Sequence, residues 1–145
     1  MGMIIEQVAL ANADSNAFAL CKVRSGWVII GNVQILPGYC LLFPDPVVAS
    51  LNDLSEERRA LFLLDMARIG DAILVATDAY RINYEILGNS APELHAHIFP
   101  RFRSEPDERR RGQACFYDWD NGPKDAPLKH RAVYDKIRGA LEAGG

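Results

Sequence analysis

Apolar and polar positions change rhythm along this chain. From Ala17 to Val23, Trp27 to Ile30 and Tyr39 to Phe43, short apolar runs are separated by Arg24-Ser25-Gly26 and Leu36-Pro37-Gly38. Runs of that length bounded by turn residues predict an antiparallel meander. From Ser55 to about Thr77 the period becomes helical, with Leu61, Leu64, Ala67 or Arg68, Asp71 or Ala72, and Val75 at three- and four-residue steps, although Arg68 and Asp71 interrupt the stripe. That spacing predicts a long helix covering one sheet face. Ser55 suits its N-cap, and Glu56 and Glu57 suit the positive end of its dipole. Asn83 to Leu87 and Leu94 to Phe102 read as two further strands joined by Gly88-Asn89-Ser90-Ala91-Pro92, the second of them interior to the sheet. Leu128 to Ala143, with Val133, Ile137 and Leu141 on one side, predicts an amphipathic helix.

The chain's 145 residues are enough for one compact domain and too few for two ordinary ones, so the expectation is a single domain over 1–145. A formal charge of −3 gives no general attraction to nucleic acid. Cys21, Cys40 and Cys115 are odd in number and contain no C-x-x-C pair, which argues against a disulfide framework or a cysteine zinc site and for reduced thiols in a cytoplasm. No window approaches a membrane span, and no basic stretch leads into a long apolar run near the start.

The candidate chemistry is concentrated in Glu93-Leu94-His95-Ala96-His97-Ile98-Phe99, where polar and apolar residues alternate. On a strand this places Glu93, His95 and His97 on one face, with Leu94, Ala96 and Ile98 packed beneath. A neutral imidazole is a competent nucleophile near pH 7, and a covalent intermediate divides one difficult displacement into two easier ones. The preceding Gly88-Asn89-Ser90 turn offers backbone N–H groups, an amide and a hydroxyl, donors suited to charge developing on phosphoryl oxygens.

Asn83 to Arg101, with its Leu-Gly-Asn lead-in, paired histidines and Pro100-Arg101 exit, resembles the His-φ-His-φ-His-φ-φ signature of the histidine triad superfamily. It is most similar to the bacterial diadenosine tetraphosphate hydrolase-like branch. Pro37-Gly38-Tyr39-Cys40, the Ser50 to Ser55 helix entry and the long helix follow in that branch's order, so the resemblance spans roughly 27–103. It implies an α+β fold with a five-stranded antiparallel sheet, one long central helix and a C-terminal helix, assembled as a homodimer. It also implies nucleotide hydrolysis or transfer from phosphoanhydride or phosphoramidate substrates, with neither catalytic metal nor other cofactor. By the same resemblance His95 is the nucleophile, His97 supports the phosphate, and Asn89 and Ser90 contact phosphate oxygens or the leaving group. Asn32 falls near a ribose-binding position, and Arg101 is the Pro-Arg arginine, expected to steady phosphate or the dimer.

Two positions depart from that pattern. Glu93 replaces the first histidine; its carboxylate would favour imidazolium at His95 and repel phosphate unless it is turned away, protonated or bonded to backbone N–H groups. Pro44-Asp45-Pro46-Val47 stands where relatives carry a basic residue and a histidine, and Val47 cannot donate a hydrogen bond. Two other function classes therefore accompany the enzymatic one: a nucleotide-binding regulator with weak or no turnover, and a metal site built on Glu93, His95 and His97. His130 lies in a separate, helical segment. Arg109-Arg110-Arg111 reads as a solvated loop, and Phe116, Tyr117 and Trp119 as aromatics that pin a long loop or stack on a base.

Overall fold

Five strands form one antiparallel sheet in the order β1-β2-β3-β5-β4 in the computed structural model, which describes residues 3–124 and 126–144. They are β1 (Ala19–Val23), β2 (Gly26–Ile30), β3 (Cys40–Pro44), β4 (Arg81–Glu85) and β5 (Ala96–Arg101). The helices are α1 (Met3–Asn12), α2 (Glu56–Ala76), two single-turn helices α3 (Asp107–Arg110) and α4 (Ala126–Lys129), and α5 (Arg131–Gly144). Among the described residues no helix is long and apolar enough to cross a membrane.

Strand alternation divides the sheet's side chains between two faces. Val28, Ile30, Cys40, Leu42, Ala96 and Ile98 pack into one core with Phe62, Ile69 and Ile73 of α2 and Tyr134 and Ile137 of α5. Each fully buried Val, Leu, Ile or Phe among them contributes roughly 1.5–3 kcal/mol. Asp65 breaks the apolar stripe of α2 for a local reason: its Oδ2 accepts a hydrogen bond of 2.8 Å from the Ser25 N–H at the β1–β2 turn. Ser55 caps α2, its Oγ accepting from the Arg58 N–H at 3.2 Å. Gly38, at φ +104°, makes the turn into β3 in a backbone region that side-chain-bearing residues rarely occupy.

The meander, the long helix and the interior position of β5 follow the sequence pattern. Strand β4 spans Arg81–Glu85, two residues earlier than the expected Asn83 to Leu87, and three further features differ. Helix α1 lies where no element was expected, with Ile4 and Val8 packed against Ile29 and Phe43 on the other sheet face. Strand β5 starts at Ala96 instead of Leu94, because the Leu94 N–H donates to the Val48 carbonyl and not to a strand partner. The expected helix from Leu128 is two helices, broken at the turn residue His130.

Candidate active site

The pleat of β5 fixes the histidines. Ala96 and Ile98 point into the α2 core, so His97 and Phe99 take the opposite face, and His95 joins them from the extended residue just before the strand. The two imidazoles have ring centroids 4.9 Å apart at 73°. Phe43 meets His95 edge-on at 6.3 Å, and Phe99 stacks on His97 at 5.6 Å. His95 is 8% exposed, and His97 is the more open ring. Clefts of about 310 and 480 Å³ elsewhere in the molecule are lined by residues of α2 and its neighbours and by neither histidine.

Each imidazole is held through Nδ1. His95 Nδ1 lies 2.8 Å from the Glu93 backbone carbonyl, which can only accept; a neutral His95 therefore carries its proton on Nδ1 and keeps the Nε2 lone pair free. His97 Nδ1 lies 2.6 Å from the Tyr39 hydroxyl. Burial, with the neighbouring His95 second, lowers His97 from the usual 6.5 to about 4. His95, Tyr39 and Glu85, its partner across the β4–β5 ladder, are titratable neighbours of this ring. The unfolded chain takes up this proton near 6.5 and the folded chain only near 4, so stability present above 6.5 is lost as pH falls through that window. Urea midpoints are expected to decline between these values, by up to about 3 kcal/mol in stability, and His97→Gln to flatten that part of the curve.

Of the residues expected at the site, His95 and His97 come together. Glu93 enters through its main chain instead of as a third member of a strand face: it precedes β5, its carbonyl anchors His95, and its buried Oε1 has no hydrogen-bond partner among the described residues. Among the described residues no three His, Cys, Asp or Glu side chains converge as a metal site, so Glu93, His95 and His97 are not arranged as a ligand set. Asn89 and Ser90 lie exposed in the β4–β5 connection, and Asn32 lies exposed after β2. Val47 packs against the cluster formed by α1, Ile29 and Phe43.

Arg101, expected to steady phosphate or the dimer, is engaged inside the protein as a structural clamp. It is 1% exposed, and all five of its N–H groups are committed within the protein. Nε and Nη2 donate to the Glu105 carboxylate, Nη1 donates to Asn83 Oδ1 at 2.8 Å and the Gly112 carbonyl at 2.7 Å, and Nη2 also donates to the Arg109 carbonyl at 2.8 Å. Burial works against the Glu105 charge, but hydrogen bonds from Arg101, the Phe102 N–H and Tyr117 outweigh it and hold the carboxyl below its usual range. The clamp fixes the segment after β5, whose arginines and aromatics then pin themselves down. Arg109 donates to the Phe116 carbonyl, the Tyr117 hydroxyl donates to Glu105, and Trp119 Nε1 donates to the Ala114 carbonyl. Trp119 thereby packs on Tyr39 and Phe99, with centroids 5.4 Å away in both cases.

Tyr39 is the site residue that sequence reading missed. The signal was present: Tyr39, Leu41 and Phe43 alternate outward, and pairing of Cys40 with Ile98 sets Tyr39 beside the histidine strand. That neighbour relation exists only once β3 is known to lie next to β5.

The HIT domain matches residues 28–104. A histidine triad protein from Marinobacter aquaeolei is similar at 23% identity over 99% of this chain and 98% of that one, with a TM-score of 0.73. A hypothetical histidine triad nucleotide-binding protein from Sulfolobus tokodaii is 17% identical over 95% and 92% of the two chains, with a TM-score of 0.72. Diadenosine triphosphate hydrolase from Plasmodium falciparum, at 16% identity over 88% and 76%, gives a TM-score of 0.52. No curated protein matches the chain. Identities this low speak for a shared fold, whereas the domain match covers both histidines and more than half of the sequence: the chain belongs to the HIT domain family.

Proposed function

We propose that this protein hydrolyses or transfers nucleotides, cleaving a phosphoanhydride or phosphoramidate bond at the α-phosphorus of a mono- or dinucleoside phosphate. The observation that carries the reading is the 2.8 Å contact from His95 Nδ1 to the Glu93 carbonyl. It leaves the Nε2 lone pair available for attack, which forms an N–P bond as the bond from phosphorus to the leaving oxygen or nitrogen breaks. In the second half, water attacks phosphorus, the N–P bond breaks, and the nucleoside monophosphate departs with His95 restored. The names of two similar structures, a nucleotide-binding protein and a diadenosine triphosphate hydrolase, support the substrate class.

Within this reading Asn89 and Ser90 are the proposed donors to phosphate oxygens and Asn32 a ribose contact. The finer identity is the bacterial diadenosine tetraphosphate hydrolase-like branch, one domain over 1–145 working as a cytoplasmic homodimer without a cofactor. A second reading draws on Glu93: a buried acidic residue with a carboxyl oxygen unpartnered among the described residues stands two positions before the nucleophile, and a binding protein without turnover fits that departure from the triad. Incubating the purified protein with diadenosine polyphosphates and adenosine phosphoramidates, with products resolved by chromatography, separates the two. Release of adenosine monophosphate supports the enzyme; saturable binding with no release supports the regulator.

A further inference from the structure

The two histidines share one mode of attachment, Nδ1 to an oxygen, but only one of the two oxygens carries a proton. A carbonyl only accepts. A phenol has one proton to give, and it is by far the more acidic partner when it meets a neutral imidazole nitrogen. Burial pushes the Tyr39 hydroxyl further up, so it retains its proton at neutral pH, and burial keeps His97 uncharged. We infer that Tyr39 is a positioning residue: its hydroxyl donates to His97 Nδ1 at 2.6 Å and thereby fixes His97 as the Nε2–H tautomer, opposite to the Nδ1–H tautomer of His95.

The surroundings hold the phenol in that role. The Tyr39 ring stacks on Phe99 at 4.5 Å, and Trp119 packs against it at 53°. Its backbone is tied on both sides: the Tyr39 carbonyl accepts from the Tyr134 hydroxyl of α5 at 2.7 Å and from the Gly31 N–H at 3.1 Å. Gly31 is required here, because a Cβ built at that position collides with the Tyr39 ring. The ring therefore has no room to swing away from His97 on that side.

Opposite tautomers give adjacent rings different work. His95 presents a lone pair to phosphorus, while His97 presents a fixed N–H. This catalytic consequence rests on the proposed nucleotidyl transfer; there the N–H is a preorganised donor for a phosphoryl oxygen or the departing atom. The tautomer assignment itself does not depend on turnover.

The test is ¹⁵N NMR of histidine-labelled protein near pH 7, with His95 and His97 assigned by single substitution. Expected are a protonated Nε2 and an unprotonated, hydrogen-bonded Nδ1 for His97, and the reverse for His95. Tyr39→Phe, which keeps the stacked ring, is expected to move both His97 shifts toward the average of exchanging tautomers and to leave those of His95 in place. If the proposed activity is present, the same variant lowers kcat roughly 3- to 10-fold, the range a net neutral hydrogen bond covers. It changes KM little, and it has no further effect in a His97→Gln background, whose amide donates without help. A wild-type His97 protonated on Nδ1 overturns the inference, and this result needs no variant to fold. Unchanged His97 shifts in a folded Tyr39→Phe protein also overturn it. The expected shifts in a protein that turns over no nucleotide would sink the proposed function and leave the tautomer assignment standing.

Discussion

His95→Ala is expected to lower nucleotide turnover by roughly 10⁴-fold or more, while binding of the same nucleotide changes far less. Removing a covalent nucleophile takes away the reaction path itself; what survives is the contribution of oriented donors to a direct attack by water. Single-turnover kinetics give the rate, and protein quenched in alkaline detergent after reaction with radiolabelled substrate gives the adduct, since an N–P bond survives base and not acid. Wild type should carry label on His95 during turnover, and His95→Ala should carry none. Because the His95 ring packs against Phe43 and bonds to the Glu93 carbonyl, thermal unfolding of the variant belongs beside the kinetics to separate lost chemistry from lost structure. A folded His95→Ala protein with more than a tenth of wild-type turnover would remove His95 from the nucleophile's role. His97→Gln should be milder, since an amide can replace one N–H donor but nothing at position 97 has to form a bond to phosphorus.

How far the sequence discloses this arrangement depends on whether a feature is local. Ser55 as the cap of α2, the strand alternation around Trp27 to Ile30 and the interior histidine strand are encoded in neighbouring residues, and each appears in the structure. Helix α1 is local as well, since Ile4, Val8 and Ala11 recur at helical steps and all three are buried. What could not be read locally is what depends on register. Tyr39 reaches His97 across 58 residues of sequence, and the Tyr134 hydroxyl reaches the Tyr39 carbonyl across 95. Glu93 misled in another way: the eye follows its carboxylate, whereas its working atom is the carbonyl that every residue carries. Any amino acid at position 93 could supply that oxygen, which explains how the first position of the triad can depart from histidine without disturbing the His95 tautomer.

Arg101→Met should cost about 3–5 kcal/mol of stability, the largest effect expected from any substitution outside the cores. The substitution does more than delete one ion pair. Arg101 and Glu105 have side chains only 2% and 6% exposed, so methionine leaves a buried carboxylate supported by the Phe102 N–H and the Tyr117 hydroxyl alone. It also takes the Arg101 donor from Asn83 Oδ1 and the Gly112 carbonyl, and leaves the Arg109 carbonyl with its backbone bond from the Gly112 N–H. A buried acceptor stripped of its partner costs more than the net value of the original bond. Arg101→Lys should recover little, because an ammonium has three N–H groups on a point and cannot reproduce a planar fork of five. Arg101→Met with Glu105→Gln should recover part of the loss by removing the stranded charge, while the Gly112 carbonyl stays without the Arg101 donor. Urea unfolding measures the energies, and hydrogen exchange locates them: amides from Phe102 to Trp119 should exchange faster, while those of α2 keep protection relative to the new global stability. If the segment loosens, Trp119 no longer packs firmly on Tyr39 and Phe99, so a substitution that touches no substrate should also relax the His97 hydrogen bond. A variant as stable as wild type, with unchanged exchange over that segment, would show that the five donors are spectators.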